Sequence, residues 1–372
     1  MRVIISGGGT GGHIFPAIAI ANTIKQHDKD SEILFVGAKG RMEMQKVPQA
    51  GYDIIGLHIA GFNRQHILKN ISLPFKLIAC LMKCRKIIKS FKPDVVIGVG
   101  GYASFSIVNM AQKMNVPTIL QEQNSLAGKS NQILGKKAEK ICVAYDNMQR
   151  YFPSSSIVLT GNPVRKNILD INTFANTEDN QKSRYTVLVT GGSLGARTIN
   201  TGIERILQYF IDKNIGLIWQ TGSYYYKDII ERTKGVFASN PKARDLIQIQ
   251  EFIFDMGKAY READIIIARA GALSISELCI VGKPTILIPS PNVAEDHQTK
   301  NATSLVDKRA AIMIKDKDIL DNASLLSSKI SSIIEDKSLQ KELSENIHSL
   351  AIKDATEKIF DVIVKVIDKN KK

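Results

Sequence analysis

The 372-residue sequence predicts an α/β protein built from two Rossmann-like, doubly wound domains that face each other across a cleft. Three observations predict this. The chain opens twice in the same way: Arg2-Val3-Ile4-Ile5-Ser6 runs into Gly7-Gly8-Gly9-Thr10-Gly11-Gly12, and about half a chain later Thr186-Val187-Leu188-Val189-Thr190 runs into Gly191-Gly192-Ser193-Leu194-Gly195. Each is a β-branched run, a glycine-rich turn and then helical periodicity, the first βα unit of such a sheet. Apolar runs recur afterwards at α/β spacing. Between the halves, residues 161–184 are polar and rich in Asn and Asp, which places a linker there and domains at 1–163 and 164–372.

The expected strands after the first are 33–36, 95–99, 118–120 and 141–144, and in the second half 216–220, 246–250, 265–268 and 285–288. Several are apolar throughout, as strands covered on both faces are. Helical periodicity over 17–25 and 274–281 supplies covering layers.

Composition excludes several classes. A chain that is 44% hydrophobic and 23% charged is neither disordered nor collagenous. No apolar run approaches the roughly 20 residues that span a bilayer, and Met1-Arg2 leads into a strand rather than a signal peptide. Cys80, Cys84, Cys142 and Cys279 form no C-x-x-C pattern, so a reducing compartment is expected, without a structural metal. The net charge of +14 is uneven. Residues 1–163 hold 20 Lys/Arg against 9 Asp/Glu, and the remainder 30 against 27. From Ile54 to Pro93 there is no acid but eight cations: Arg64, Lys69, Lys76, Lys83, Arg85, Lys86, Lys89 and Lys92.

Gly7, Gly9 and Gly12 satisfy G-x-G-x-x-G, and a helix opening after such a turn offers unpaired N–H groups to an anion. A dinucleotide site also needs a carboxylate closing the second strand, to hold the ribose. That strand ends Phe35-Val36-Gly37-Ala38, and its counterpart ends Trp219-Gln220-Thr221, so NAD or FAD is not expected. No Walker-type Lys follows the glycines. Asp28-Lys29-Asp30 and Asp316-Lys317-Asp318 stand in hydrophilic turns and read as solvated, so the chemistry is expected to need no cofactor or protein-bound metal.

Seven motifs then occur in order: Gly8-Gly9-Thr10-Gly11-Gly12-His13, Gly100-Gly101-Tyr102-Ala103-Ser104, Gln121-Glu122-Gln123-Asn124, Gly161-Asn162-Pro163-Val164-Arg165, Gly191-Gly192-Ser193-Leu194-Gly195-Ala196, Arg269-Ala270-Gly271-Ala272 with Ser276-Glu277, and Asp296-His297-Gln298 with Asn301-Ala302. Together, over nearly the full length, they resemble the MurG family of bacterial peripheral-membrane glycosyltransferases. The resemblance implies a GT-B fold and inverting transfer of N-acetylglucosamine from UDP-N-acetylglucosamine to the 4-hydroxyl of the muramoyl sugar of undecaprenyl-linked lipid I. The product would be lipid II, for peptidoglycan biosynthesis, cell shape and division. It also implies a peripheral position on the cytoplasmic face of the membrane, with cell-wall synthesis or division proteins as further partners.

Roles carried over from the family follow position by position. Ser193 would meet the UDP diphosphate, and Glu277 the ribose hydroxyls. Ala272, Leu273, Ser274, Ile275 and Ser276 would surround the diphosphate and sugar, Ile253 would contact the uracil edge, and Gln298 would read the donor sugar. Arg165 and Arg269 either bring a cation to the closed cleft or sit in surface ion pairs. His13 is the leading candidate for the general base, the other reading being a hydrogen bond at the turn. Glu122 is the competing base, or the partner that orients a catalytic group. Thr10, Gly11, Gly12 and Asn124 would touch the sugar or the acceptor diphosphate.

Four residues stand apart. Leu194 replaces a frequent Gln, so a side-chain contact made there to the acceptor or donor is not expected to carry over; Phe105-Ser106 replaces a frequent Gly-Pro, so the acceptor-side glycine loop is expected to differ in shape. Ser6 has no assigned role.

Residues 64–90 interleave the cations with Ile67, Leu68, Ile71, Leu73, Phe75, Leu77, Ile78, Leu81, Met82, Ile87 and Ile88, a basic amphipathic pattern suited to an anionic bilayer. The plainer reading makes about half of these a core face. Pro74 predicts two helices there. A nucleic-acid-binding role is disfavoured because only Phe75 and Phe91 are aromatic between Asn63 and Pro93. Another UDP-sugar transferase, or a UDP-N-acetylglucosamine epimerase of the same fold, is the remaining alternative.

Overall fold

A computed structural model describes residues 1–59, 73–171, 184–293 and 296–371 of the chain. It divides into two units, Met1–Arg165 with Asp354–Lys372, and Lys166–Lys353.

The first unit runs β1 (Arg2–Gly7), α1 (Gly11–His27), β2 (Glu32–Ala38), α2 (Glu43–Gln49), β3 (Asp53–Leu57), α3 (Leu73–Phe91), β4 (Val95–Gly100), α4 (Tyr102–Lys113), β5 (Thr118–Glu122), α5 (Lys129–Gly135), β6 (Lys140–Val143) and β7 (Ile157–Leu159). Its strands form a seven-stranded sheet in the order β3-β2-β1-β4-β5-β6-β7, every pair parallel. Strand alternation divides the core. Val3 and Ile5 of β1 pack into a cluster with Ile14, Ile20 and Ile24 of α1, while Ile4 packs into another with Cys84 and Ile88 of α3 and Ile107 of α4.

The second unit runs α6 (Lys166–Leu169), β8 (Thr186–Thr190), α7 (Arg197–Arg205), α8 (Leu207–Asp212), β9 (Gly216–Gln220), α9 (Tyr226–Ser239), α10 (Ala243–Leu246), β10 (Ile247–Gln250), α11 (Met256–Glu262), β11 (Ile265–Ala268), α12 (Ala272–Val281), β12 (Thr285–Leu287), α13 (His297–Val306), β13 (Ile312–Met313), α14 (Asp316–Asp321), α15 (Ser324–Glu335) and α16 (Lys337–Ser349). Its parallel sheet has the order β10-β9-β8-β11-β12-β13. Trp219 is wholly buried in its core, its indole N–H donating to Asn200 at 3.0 Å.

The last helix, α17 (Ala355–Lys371), corrects the expected boundary, because it belongs to the first unit rather than to 164–372. Its Ile359, Ile363, Val366 and Ile367 enter the cluster lined by Ala17, Ile20, Ala21 and Ile24 of α1. His27 stacks on Phe360 at 4.3 Å and reaches Glu357 at 2.7 Å. Burying each such aliphatic side chain is worth about 1.5–3 kcal/mol, which holds the helix to this sheet. With that segment reassigned the charge asymmetry grows, to 26 Lys/Arg against 13 Asp/Glu in the first unit and 24 against 23 in the second.

Both sheets reverse strand order at their first strand, between β1 and β4 and between β8 and β11. In open α/β sheets ligands bind at this switch point, beyond the carboxyl ends of the strands. The two glycine loops lie there.

Candidate active site

In the first unit, Gly8-Gly9-Thr10 connects β1 to α1, and Gly100-Gly101 connects β4 to α4. The loops are tied by Gly8 N–H donating to Gly100 O at 3.3 Å. His13 stands in the first turn of α1, half-buried, with Nδ1 3.1 Å from Gly8 O. Gly100 and Gly101 have φ of 111° and 89°, which favour glycine. They also leave room: a methyl on Gly100 would come within 2.7 Å of His13 Nε2, and one on Gly101 within 2.5 Å of Gly8 O. Burial lowers the His13 pKa below the ordinary 6.5, outweighing the Gly8 carbonyl and the Glu122 and Glu43 carboxylates, which raise it.

Glu122 ends β5 and is almost wholly buried. Its Oε1 accepts from Asn124 N–H at 3.1 Å and from the Asn124 side chain at 3.3 Å, and its Oε2 from Gly128 N–H at 3.0 Å and Asn131 at 2.9 Å. A carboxylate with four donors orders its loop and orients Asn124. Gln121, Gln123 and Asn162 form a buried amide network beside it, Gln121 donating to Asn162 at 3.0 Å and Gln123 to Val99 O at 2.7 Å. Arg165 joins this unit, its guanidinium 5.2 Å above the Phe15 ring of α1. Thr10, Gly11 and Gly12 form the N-terminal edge of α1.

In the second unit the loop after β8 carries Ser193, half-buried, whose carbonyl accepts from Ser223 N–H at 3.1 Å. After β11, Gly271 caps α12, so the first turn, Ala272, Leu273 and Ser274, forms the positive end of the helix. Ser276 Oγ donates to Ala272 O at 3.1 Å, and Ile275 is buried. Glu277 is buried too and accepts from the Tyr260 hydroxyl at 3.3 Å. Gln298, in the first turn of α13, accepts from Ser290 N–H at 2.9 Å, which orients its amide.

The structure corrects several expectations. Arg269 is part of the framework: it donates to Ile288 O at 3.0 Å, Pro289 O at 3.1 Å and the Asp316 carboxylate. Asp316 therefore does not stand in a solvated turn, and its second oxygen accepts from Thr198 at 2.6 Å. Ile253 is not reassigned: its side chain is buried and its N–H is donated to Gln220 at 2.9 Å. Phe105 and Ser106 lie within α4, one turn beyond the glycine loop. Ser6 acquires a role, donating to Val36 O at 2.7 Å between β1 and β2. Pro74 lies within α3; the rest of the anticipated pair of helices, with Arg64, Ile67, Leu68, Lys69 and Ile71, lies outside the described residues.

Sequence reasoning missed two side chains here. Gln220, at the position where a dinucleotide site would carry its ribose carboxylate, donates to Thr190 Oγ1 at 3.2 Å and Gly192 O at 3.0 Å as well as holding Ile253, so one amide joins three segments of the site. Glu43 is wholly buried beneath the first glycine loop. The absence of a carboxylate at the first position was a usable signal; Glu43 had none, since an acid opening a helix is ordinary.

Comparison with known proteins agrees with this arrangement. The N-terminal domain pattern of glycosyltransferase family 28 matches residues 3–143, and its C-terminal domain pattern matches 186–359. The UDP-N-acetylglucosamine–N-acetylmuramyl-(pentapeptide) pyrophosphoryl-undecaprenol N-acetylglucosamine transferase of Cytophaga hutchinsonii is 51% identical over 375 residues, covering 100% of this chain and 98% of that protein. The crystal structure of Acinetobacter baumannii MurG superposes with a TM-score of 0.79 at 28% identity, covering 98% and 99% of the two chains. The structure of a Neisseria meningitidis UDP-N-acetylglucosamine 2-epimerase, at 14% identity and TM-score 0.65, covers 98% and 100% of the two chains and shares the fold. The chain belongs to glycosyltransferase family 28, among the N-acetylglucosamine transferases of the MurG type.

Proposed function

We propose that this protein transfers N-acetylglucosamine from UDP-N-acetylglucosamine to the 4-hydroxyl of the muramoyl sugar of lipid I, releasing UDP and forming lipid II. The observation that carries this is full-length identity of 51% to a named transferase, with a glycine loop at the switch point of each sheet. The hydroxyl proton passes to His13 as the hydroxyl oxygen attacks the anomeric carbon from the face opposite UDP, and the bond to the diphosphate breaks with inversion. Such a base contributes about 10²–10⁴-fold. Glu122 acts through Asn124 rather than as the base, because its oxygens already accept four donors.

On the donor side the α12 amides, the Ser274 hydroxyl and Ser193 hold the diphosphate as its charge grows, each such donor being worth about 2.7–4 kcal/mol. Glu277, oriented by Tyr260, takes the ribose hydroxyls, and Gln298 the sugar hydroxyls. Ile253 offers its carbonyl side to uracil, its N–H being held by Gln220. Thr10, Gly11, Gly12 and Arg165 serve the acceptor.

Lipid I is membrane-bound, and α3 supplies a surface for it. Leu77, Ile78 and Met82 are 52%, 55% and 63% exposed, and Arg85, Lys86 and Lys89 follow them at the surface. Each cation near an anionic leaflet adds on the order of 1 kcal/mol. Lys83 is not among them, since it donates inward to Gly56 O at 2.8 Å, and Ile87 and Ile88 face the core. No helix among the described residues is long and apolar enough to cross a membrane. UDP release that requires a lipid I analogue tests the reading; an epimerase needs no acceptor.

A further inference from the structure

The reaction just described gives no part to Glu43. This carboxylate opens α2, is fully buried, and accepts from Gly9 N–H at 3.0 Å and Ala38 N–H at 2.9 Å. An acid at a helix start ordinarily faces solvent, where it suits the helix dipole at no desolvation cost. Here it is turned under the loop, where burial is costly unless charge-assisted hydrogen bonds compensate. It also occupies the space that side chains on Gly8 and Gly37 would fill, a methyl on Gly37 coming within 2.6 Å of its Cγ. Gly8 is thus held between Glu43 and Gly101, and its carbonyl, at 3.1 Å, is the nearer of two groups on His13 Nδ1, the Thr10 hydroxyl lying at 3.4 Å.

Resting on the assignment of this loop to the acceptor, we infer that Glu43 is a positioning residue for the transfer: it holds the Gly8-Gly9 backbone so that His13 keeps its proton on Nδ1 and its lone pair on Nε2. The logic is that of an outer carboxylate fixing the tautomer and aim of a working imidazole through one intermediary. Glu43 and Glu122 are also the two carboxylates whose charge raises the proton affinity of His13 against burial. Removing the charge of Glu43 therefore lowers it further.

The test uses Glu43→Gln, which keeps the shape but turns an amide N–H₂ toward one of the two backbone donors, and Gly37→Ala, which crowds the same side chain and leaves its charge. Acceptor kcat and KM, UDP affinity by calorimetry and the ¹⁵N-histidine NMR titration of His13 are read in full-length protein. Both variants are expected to lose about 10–100-fold in kcat, as misplacement of a reacting group does, with UDP affinity within about twofold. In Glu43→Gln the His13 midpoint is expected to move to lower pH. A folded Glu43→Gln protein with wild-type kcat and an unmoved His13 titration overturns the inference, as does a fall in UDP affinity that matches the fall in turnover. The NMR signals do not depend on turnover. An altered His13 ring in Glu43→Gln, together with an active His13→Ala enzyme, would support the Glu43 contact while removing His13 as base.

Discussion

His13 Nδ1 lies 3.1 Å from the carbonyl oxygen of Gly8. A carbonyl can only accept, so Nδ1 carries the proton of the neutral ring and Nε2 keeps its lone pair. Glu122, by contrast, has both oxygens engaged by backbone and amide donors. His13→Ala is therefore expected to lower kcat about 10²–10⁴-fold while UDP affinity is retained. Glu122→Gln is expected to cost less in kcat and more in stability, because it puts an amide N–H₂ against donors. Steady-state kinetics and urea denaturation of the two variants check this order, and the reverse order would move the base to Glu122.

The direction of the His13 shift sets the pH dependence. Its pKa in the folded protein is below the ordinary 6.5, so the contribution of the neutral ring to stability is present above pH 6.5 and lost as pH falls through the lower folded value. The base form likewise persists below pH 6.5. The acid limb of kcat/KM is expected to have its midpoint below 6.5 and to vanish in His13→Ala.

Much of this was legible in the chain itself, for physical reasons. Strands such as Val95–Gly100 and Ile265–Ala268 are buried on both faces and read as unbroken apolar runs. The strands missed are Asp53–Leu57, Ile157–Leu159 and Ile312–Met313, and all three are sheet edges, where one side lacks a neighbour and the apolar demand is weaker. The stripe on Ala355–Lys371 suits a helix but does not say which sheet it covers, and nothing local separates α17 from the second unit that precedes it in the chain. In the site, glycines and the α12 motif were readable because their backbone demands are specific. Arg269 and Asp316 were not, since their pairing spans 47 residues and an ion pair leaves no local pattern.

That pairing makes its own prediction. Both side chains are largely buried, at 14% and 13% exposure. Arg269→Ala leaves Asp316 and two carbonyls without their donor and is expected to cost about 3 kcal/mol of stability, with UDP affinity in the folded protein little changed. Calorimetric binding alongside thermal denaturation decides it. Unaltered stability with UDP binding weakened tenfold or more would return Arg269 to the substrate.

For the membrane surface, reversing charge at Arg85, Lys86 and Lys89 together is expected to reduce binding to anionic vesicles by roughly 100-fold or more, at about 1 kcal/mol for each cation. Reversal at Lys83, which points to Gly56 O, is expected to act through stability instead. Vesicle co-sedimentation checks both, and the effect of the triple variant should weaken at high salt.

The central claim is acceptor-dependent transfer, and the most direct measurement is UDP release from UDP-N-acetylglucosamine with and without a soluble lipid I analogue, the product being analysed by NMR. The account predicts no turnover without the analogue and, with it, one UDP per β-linked disaccharide formed. Consumption of UDP-N-acetylglucosamine at the same rate without the acceptor, or an α-linked product, would contradict it.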